Sequence, residues 1–373
     1  CPMLYFDHSA TTPLRSEVKE LMQSINDANY GNPSSIYALG RKARSIIETA
    51  RKQVANAIGA SSDQILFTSS GTEANNQVLW TLIFSSKKHV IASAIEHPAI
   101  LKVLNNLGPL GVSHTLLPVN NSGIVNLSAL VPALQKDTGL ISIMLANNEV
   151  GSIQPIEEIV RIVGQYNIPV HTDAVQTLGK IPIDISSLGV DFLSLSAHKF
   201  YGPKGVGVLF VKDKKKIKSL MIGGSQESGL RAGTENVAGI AGLGLAAKLA
   251  KDKLLSHSEH LKKLETIFRK KLGKINPNLV FHGDHHHCLP GLISLSFPGQ
   301  KADILMAKLD RYGLAVSSGS ACSAGTVTPS IVLKAMNVDD SLNTATLRVS
   351  FGAGNTQDDV EELLSGLKNA LKP

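Results

Sequence analysis

One lysine stands among small and hydroxylic residues at a point where a buried strand is expected to end. Residues 194–203 begin with an apolar alternation and finish in glycine and proline, with Lys199 in the turn between. Burial lowers the pKa of a lysine, and the neutral amine is a nucleophile toward aldehydes. A single lysine more commonly covers a sheet edge with its stem and keeps its charge in water. The surroundings of Lys199 favour the chemical role.

A single thiol, Cys322, lies in a stretch of small residues between Gly319 and Gly325. This composition is typical of a mobile loop, and a buried cysteine would have apolar neighbours. An incidental surface thiol is the alternative interpretation. The chain contains only two other cysteines, Cys1 and Cys288, which are too few for a disulfide framework. We therefore expect a reducing, cytoplasmic location, and we expect no secretory signal.

Four more polar residues follow expected strands: His97, Asn148, Asp173 and Gln176. Asp173 could keep a pyridinium nitrogen protonated, and Gln176 could bond the phenolic oxygen of the same ring. Asp173 could equally cap the next helix. His97 could stack on a ring or move protons, although a lone histidine is more commonly structural. Ligands bind at the carboxyl ends of strands in open α/β sheets, so we expect these groups to gather near Lys199.

A turn that includes Gly71 and Thr72 connects a short apolar run to a helix start. The first amides of a helix lack internal partners and, with the helix dipole, attract anions such as phosphate. Ser196 and His198 could reach the same phosphate. The alternative is a plain helix cap formed by Thr72, although Asn75 stands where a capping box needs a longer side chain. Taken alone, the two interpretations have equal weight.

The elements that must position these residues follow from hydrophobic patterning. Short apolar runs alternate with amphipathic stretches through the middle of the chain, which predicts an α/β fold with a mostly parallel sheet covered by helices. Helical spacing predicts a helix over 36–58 and a long helical segment from Asn236 to about Leu272. The last hundred residues predict a smaller α+β domain. We expect a large cofactor-binding domain at 14–250, and a small domain formed by 1–13 and 251–373 that carries the Cys322 loop.

Charge and composition exclude several other classes of function. The net charge is +7, but no patch combines basic and aromatic residues, so we expect no direct contact with nucleic acid. The lysine-rich run at 212–218 is interpreted as a solvated turn. No apolar run is long enough to span a membrane. The histidines at 282–288 lack a second ligand group with recognisable spacing, which favours a surface loop over a metal site, and we expect no metal.

Together these motifs resemble the class V aminotransferase family and, within it, the cysteine desulfurases of the NifS and IscS type. The resemblance runs from the first residues to about Gly352 in the family's order. Each motif is weak alone, but the set is specific. The matching stretches are 5–12, 31–35, 70–73, 96–97, 147–151, 173–176, 196–205, 231–234, 317–322 and 347–350.

The resemblance implies fold type I of the pyridoxal-phosphate-dependent transferases, with a seven-stranded type of sheet, in a homodimer whose sites lie at the subunit interface. Lys199 would hold pyridoxal 5'-phosphate as a Schiff base, His97 would assist catalysis, and Cys322 would receive sulfur. The other implied contacts are Gly71, Thr72, Ser196 and His198 to the phosphate, Thr234 to the phosphate of the partner subunit's site, His97, Asn148, Asp173 and Gln176 to the ring, and Arg348, Asn148 and Asn32 to the substrate carboxylate.

The implied reaction takes sulfur from L-cysteine, leaving L-alanine and a persulfide on Cys322. The sulfur would pass to an acceptor protein such as an iron–sulfur scaffold or a tRNA thiolation enzyme. A selenocysteine lyase or another β-eliminating enzyme on the same fold is the alternative. A scaffold that has lost its chemistry is a third interpretation, against which the intact Lys199, Asp173, Arg348 and Cys322 argue.

Overall fold

The computed structural model describes residues 3–319, 322–323 and 326–372, and for 322–323 and 326–327 it describes the backbone only. The strands are β1 (Leu4–Tyr5), β2 (Ile65–Thr68), β3 (His89–Ser93), β4 (Ser113–Leu117), β5 (Thr138–Ser142), β6 (Val170–Asp173), β7 (Phe192–Ser196), β8 (Gly207–Val211), β9 (Val280–His282), β10 (Leu292–Ser296), β11 (Leu314–Ala315), β12 (Cys322–Ser323), β13 (Thr326–Val327) and β14 (Thr346–Ser350).

A seven-stranded sheet forms the centre of the molecule, in the order β2-β8-β7-β6-β5-β3-β4. All neighbouring strands in it are parallel except at β8, which runs antiparallel to β2 and to β7. Its strands are short and, apart from the edge strand β4, almost wholly buried, as expected of a sheet covered on both faces. The carboxyl ends of β2, β3, β5, β6 and β7 therefore meet at one edge.

Helices cover this sheet and a second, smaller one. They are α1 (Ser16–Ala28), α2 (Ala38–Ile58), α3 (Gly71–Trp80), α4 (Pro98–Leu107), α5 (Leu130–Ala133), α6 (Ile156–Gly164), α7 (Ile185–Leu188), α8 (Val237–Asp252), α9 (Leu254–Ile275), α10 (Ala302–Arg311), α11 (Ile331–Ala335), α12 (Asp340–Asn343) and α13 (Gln357–Ala370). Among the described residues, no helix is both long and apolar enough to cross a membrane.

Two helices show how the sequence sets their ends and their packing. The predicted helix over 36–58 is α2, which ends where Gly59 adopts a left-handed φ of 72°. The segment expected to be continuous from Asn236 is instead two helices, because Lys253 leaves helical geometry with φ −102° and ψ 10°. On α8, a Cβ at Gly244 would lie 2.5 Å from the Ala50 Cα, so only glycine allows α8 to approach α2 this closely.

A second hydrophobic core lies around the antiparallel sheet β14-β10-β9. It contains apolar residues of α9, α10 and α13 and also Phe6 from the N-terminal segment, whose ring packs edge-on to Phe351 at a centroid distance of 6.0 Å. The N-terminal segment and the last third of the chain thus share one core. The division into domains at 14–250 and at 1–13 with 251–373 stays a prediction.

A buried ion pair fixes the strand that leads into the Gly71 turn. Arg51 on α2 donates to both carboxylate oxygens of Glu227, at 2.8 and 2.6 Å, and the Phe67 amide of β2 donates to Glu227 at 2.8 Å. The side chains of Arg51 and Glu227 are 10 % and 2 % exposed. Glu227 holds a left-handed φ of 48°, a cost that these three bonds offset.

We expect Glu227→Ala to lower the free energy of unfolding by about 3 kcal/mol, because the Arg51 guanidinium loses its buried partner and keeps only the more exposed Glu48 carboxylate. Urea denaturation followed by circular dichroism measures the change. Glu158→Ala, which breaks an exposed pair with Arg161, is the control and should cost less than about 1 kcal/mol. Equal effects of the two substitutions would show that Glu227 does not fix this region.

Candidate functional site

The edge where the strand ends meet opens into a cavity of about 250 Å³. Most of the predicted site residues line it together: Gly71, Thr72, His97, Asn148, Asp173, Gln176, Ser196, His198, Lys199 and Arg348. A larger cavity of about 360 Å³ opens near the opposite ends of β5 and β7, and none of the predicted site residues lines it. The chemistry-bearing side chains are therefore concentrated in the smaller cavity.

Lys199 ends a short 3-10 turn that follows β7 directly. Its Nζ donates hydrogen bonds to the carbonyl oxygens of Ser9 and Ala10, at 2.5 and 2.8 Å. Burial lowers the pKa of Lys199 to about 8, and the positive charge of Arg348 acts in the same direction. A substantial fraction of the amine is therefore neutral near pH 8 and able to attack a carbonyl carbon.

Asp173 is the last residue of β6, and its carboxylate is 6 % exposed. One oxygen accepts a hydrogen bond from Asn75 Nδ2 at 2.8 Å, and the other accepts from the Val175 amide at 3.0 Å. The Val175 contact closes a turn, and the next helix begins only at Ile185 with Asp184 as its cap, so the alternative role of Asp173 as a helix cap was wrong. A buried carboxylate fixed by two donors is an acceptor for a protonated ring nitrogen.

Gln176 carries a buried atom that lacks a partner among the described residues. Its Nε2 donates to the Ser9 carbonyl at 3.0 Å, while its Oε1 is buried and unbonded. An unpaired buried acceptor costs free energy unless a ligand satisfies it. Gln176 lines the cavity, so a ligand with a ring hydroxyl fits as the partner of this oxygen.

The turn before α3 leaves its first amides available. The helix cap is Ser70, whose hydroxyl accepts from the Glu73 amide at 3.1 Å, so the alternative interpretation of Thr72 as the cap was wrong. A Cβ at Gly71 would lie 2.6 Å from a methyl carbon of Val175, which explains the need for glycine there. The amides of Gly71 and Thr72 and the Thr72 hydroxyl have no hydrogen-bond partner among the described residues, so they can bind a phosphate.

His198 lines the same cavity and is next to Lys199 in the chain. Its Nδ1 hydrogen bonds with Thr11 Oγ1 at 3.0 Å. Burial lowers the pKa of His198 to about 4, so the imidazole is neutral at pH 7. A phosphate in the cavity would meet a neutral hydrogen-bond donor at this position.

His97 combines a structural contact with a place in the cavity wall. Its Nδ1 accepts a hydrogen bond from the Ala99 amide at 3.0 Å and caps α4. The proton of the neutral ring is therefore on Nε2, and burial lowers the pKa of the group. Preceding it, Glu96 is 3 % exposed and accepts from Ser93 Oγ and the Met144 amide at 2.6 and 2.9 Å, which fixes this corner.

Arg348 on β14 reaches the cavity from the second sheet. Its Nη1 donates to the Asn148 carbonyl at 2.9 Å and its Nη2 donates to Asp7 at 2.8 Å. Its Nε is buried and has no partner among the described residues. The backbone of Arg348 also pairs with Ser317, which brings the start of the segment leading to Cys322 beside β14.

Two predicted residues that the structure describes do not line the cavity. Thr234 is exposed and lines a separate surface cavity with Arg231. Asn32 is exposed, and its side chain accepts from the Ser34 amide at 2.9 Å. The side chain of Cys322 lies outside the described residues, although its backbone forms β12, antiparallel to β13.

Sequence reasoning missed several groups that shape the cavity. Ser9 and Ala10 contribute carbonyl oxygens, which carry no side-chain signal, although residues 5–12 were among the matching motifs. Asn75 was considered only as a poor capping residue, whereas its amide holds Asp173. Because Asn75 is nearly a hundred positions from Asp173, local patterning could not have found this contact.

The histidine-rich stretch at 282–288 uses its groups in local bonds. Asp284 accepts from the amides of His286 and His287, and His282 bonds to Ser296 Oγ at 2.6 Å. In the part of the chain that is described, no three histidine, cysteine or acidic side chains are grouped so as to hold a metal ion.

The sequence matches a known protein family and named relatives over nearly its whole length. Residues 4–363 fit the family model described as aminotransferase class-V. Two relatives named cysteine desulfurase IscS are similar: that of Dictyoglomus turgidum is 46 % identical over 99 % of this chain and 94 % of its own, and that of Methanosarcina thermophila is 43 % identical over 97 % and 90 %.

Solved structures resemble the fold over its whole length. A NifS-like protein, 38 % identical, covers 99 % of both chains with a TM-score of 0.93, which confirms the predicted α/β fold. A structure of SspA in complex with cysteine is 33 % identical over 94 % of this chain and 99 % of its own, with a TM-score of 0.81. The extent of these matches shows that the chain belongs to the class-V aminotransferase family.

Proposed function

We infer that this chain is a cysteine desulfurase that uses pyridoxal 5'-phosphate, and that Lys199 binds the cofactor. The observation that carries this assignment is the partly neutral Lys199 amine, held in one cavity with a carboxylate at Asp173 and a guanidinium at Arg348. Relatives over nearly the whole chain are named for the same activity. L-Cysteine is the substrate, and an acceptor protein takes the sulfur.

The donors and acceptors of the cavity fit this cofactor. The free amides at Gly71 and Thr72, with Ser196 and His198, suit the phosphate, since a helix N-terminus binds anions. Asp173 would bind the pyridine nitrogen, which makes the ring a sink for electrons when the cofactor is bound. The unpartnered Gln176 Oε1 would accept from the ring hydroxyl, with His97 and Asn148 against the ring.

The substrate carboxylate would bind at Arg348. A guanidinium presents parallel N–H groups that match a carboxylate, and the buried Arg348 Nε has no partner among the described residues. Asn148 adds an amide beside it in the cavity wall. A contribution of Asn32 to substrate binding stays a prediction, because its side chain does not line the cavity.

Lys199 would then act as the base that removes the α-proton of the substrate. Its low pKa leaves a share of the amine unprotonated near neutral pH, as a general base requires. The two carbonyl oxygens of Ser9 and Ala10 hold the amine in place without adding a negative charge. The Nε2–H of His97 is available to assist, since Nδ1 is occupied by the cap of α4.

Cys322 would take the sulfur as a thiolate, the reactive form of the group. The thiolate attacks the substrate sulfur, a sulfur–sulfur bond forms, and the bond between that sulfur and the substrate β-carbon breaks. Its electron pair stays on the carbon, which gains a proton to give alanine. Cys322 is left as a persulfide. The pairing of Ser317 with Arg348 supports a position near the carboxylate site for this segment.

We propose an iron–sulfur scaffold or a tRNA thiolation enzyme as the acceptor protein, with no direct contact with nucleic acid. The family resemblance is the support for these partners. A cytoplasmic location stays a prediction from the small number of cysteines.

We also propose a homodimer whose cavities are completed across the subunit interface. Large apolar side chains are exposed in two segments, with Ile36 at 87 %, Tyr37 at 59 % and Ile222 at 91 % exposure. Side chains of this size buried against a second copy would contribute strongly to association. Thr234, which lies outside the cavity of its own chain, is then free to contact the phosphate in the partner's cavity.

In Lys199→Ala we expect the visible absorbance of the bound cofactor to disappear and alanine formation from L-cysteine to fall by about 10² or more, since the base is lost. Spectroscopy after addition of pyridoxal phosphate, with an alanine assay, measures both. Lys204→Ala, an exposed lysine nearby, is the control. An unchanged spectrum in Lys199→Ala would refute the assignment of the cofactor-binding lysine.

In Cys322→Ala we expect the cofactor spectrum to remain and alanine formation from L-cysteine to fall by about 10² or more, because no thiolate receives the sulfur. Mass spectrometry of peptides from the native protein should find one added sulfur atom on Cys322. Cys288→Ala is the control thiol. Full desulfuration of cysteine by Cys322→Ala would instead favour a β-eliminating enzyme, and assays with selenocysteine would then identify the lyase.

We expect Thr234→Ala to weaken cofactor retention by about tenfold, the effect of losing one hydrogen bond to a charged group. Co-expression with Lys199→Ala then forms mixed dimers in which one cavity has both native residues. Retention of cofactor after dialysis, measured on doubly tagged dimers, should return to the native level in half of the sites. Mixed dimers that retain no more than Thr234→Ala alone, or a monomeric chain in light scattering, would exclude the shared site.

A further inference from the structure

The Arg348 guanidinium is held by two segments that are far apart in the sequence. Asp7 accepts from Nη2 at 2.8 Å, and the carbonyl oxygen of Asn148 accepts from Nη1 at 2.9 Å. The side chains of Arg348 and Asp7 are 7 % and 19 % exposed. Two of the three nitrogens are thus engaged by the chain, and the buried Nε is left without a partner among the described residues.

Asp7 is itself fixed by the fold. Its backbone forms a parallel bridge with Ser350, two positions beyond Arg348 on the same strand. Its carbonyl oxygen lies 2.8 Å from the Tyr5 hydroxyl, whose single proton is shared between this oxygen and the Thr11 carbonyl oxygen at 2.9 Å. The carboxylate therefore reaches Arg348 from a rigid position.

The other acidic group near Arg348 does not take this role. Glu149 accepts a hydrogen bond from the Ser330 hydroxyl, and burial raises its pKa to about 7 although Arg348 acts in the opposite direction. Its carboxyl group is therefore protonated for a substantial part of the time at neutral pH. Asp7 is the acidic side chain that hydrogen bonds to the guanidinium.

We propose that Asp7 is a positioning residue that fixes the Arg348 guanidinium so that its remaining N–H groups receive the carboxylate of the amino-acid substrate. This inference rests on the proposed function, because it takes Arg348 as the group that binds the carboxylate. A planar guanidinium binds a carboxylate well only when its orientation is fixed. Its two parallel N–H groups must each point at one of the two carboxylate oxygens. Without Asp7, the side chain would lose one of its two fixed contacts.

The consequence is specific to ligands that carry a carboxylate. Two probes separate this effect from a general loss of structure: L-alanine, which is the product, and ethylamine, which has the same amine and methyl groups but lacks the carboxylate. Loss of Asp7 should weaken the binding of L-alanine and leave the binding of ethylamine unchanged. A merely structural role for Asp7 would weaken both probes together.

The experiment titrates each probe into the cofactor-loaded protein and follows the change in cofactor absorbance. In Asp7→Ala we expect the affinity for L-alanine to fall by about 10- to 100-fold, the effect of losing one charge-assisted hydrogen bond. The KM for L-cysteine should rise similarly, with a smaller change in kcat. Asp7→Asn keeps an oxygen acceptor at the same position and should restore most of the affinity for L-alanine.

Two further variants make the outcome decisive. Asp27→Ala, an exposed acidic residue on α1, is the control and should match the native protein. If Asp7→Ala does not fold, Asp7→Ser replaces it. The serine side chain is polar but too short to contact the Arg348 guanidinium. If the folded Asp7 variant binds L-alanine as tightly as the native protein while Arg348→Ala does not, the role of Asp7 is overturned. The proposed carboxylate site at Arg348 then still stands. Equal affinity in Arg348→Ala and the native protein overturns the proposed carboxylate site, and the inference falls with it.

Discussion

A primary amine held out of water at the end of a buried strand is the constraint around which this site is arranged. Lys199 ends the 3-10 turn that follows β7, and the hydrogen bonds of its Nζ go to two backbone carbonyls. A carbonyl oxygen holds an amine in place with only a partial charge, so burial still lowers the pKa to about 8. A carboxylate in the same position would have stabilised the charged form and removed the nucleophile.

The N-terminal segment connects this amine to both hydrophobic cores. Phe6 belongs to the core around the second sheet, and Asp7 holds Arg348 on β14. A few residues later, Ser9 and Ala10 accept from Lys199, and Thr12 donates to the carbonyl of His198 at 2.8 Å. One short stretch thus sets the distance between the amine on the large sheet and the guanidinium on the small one. A change in its path would move both groups that meet the substrate.

The sequence was most informative where a side chain and its strand are adjacent in the chain. Lys199, Asp173 and Gly71 each follow a short apolar run, and the carboxyl ends of such strands meet at one edge of an α/β sheet. The mostly parallel sheet was confirmed for the same reason. The local details were less accurate: Ser70 caps α3 in place of Thr72, and Lys253 divides the long helical segment. Both depend on the φ and ψ angles of a single residue, whereas a hydrophobic pattern is read over a window of many residues and does not reveal such angles.

Residue types and spacing by themselves determined the fold class, the strand ends that form the cavity and the family to which the chain belongs. Each of these is encoded locally, either by the hydrophobic periodicity of strands and helices or by short motifs. Only the tertiary structure decided which groups touch: Asn75 with Asp173, Asp7 with Arg348, and backbone carbonyls with Lys199. These partners are far apart in the chain, and two of them are carbonyl oxygens that every residue possesses. Asn75 meets Asp173 because α3 packs on β6, and Asp7 meets Arg348 because the N-terminal segment packs against β14; no local pattern encodes either arrangement.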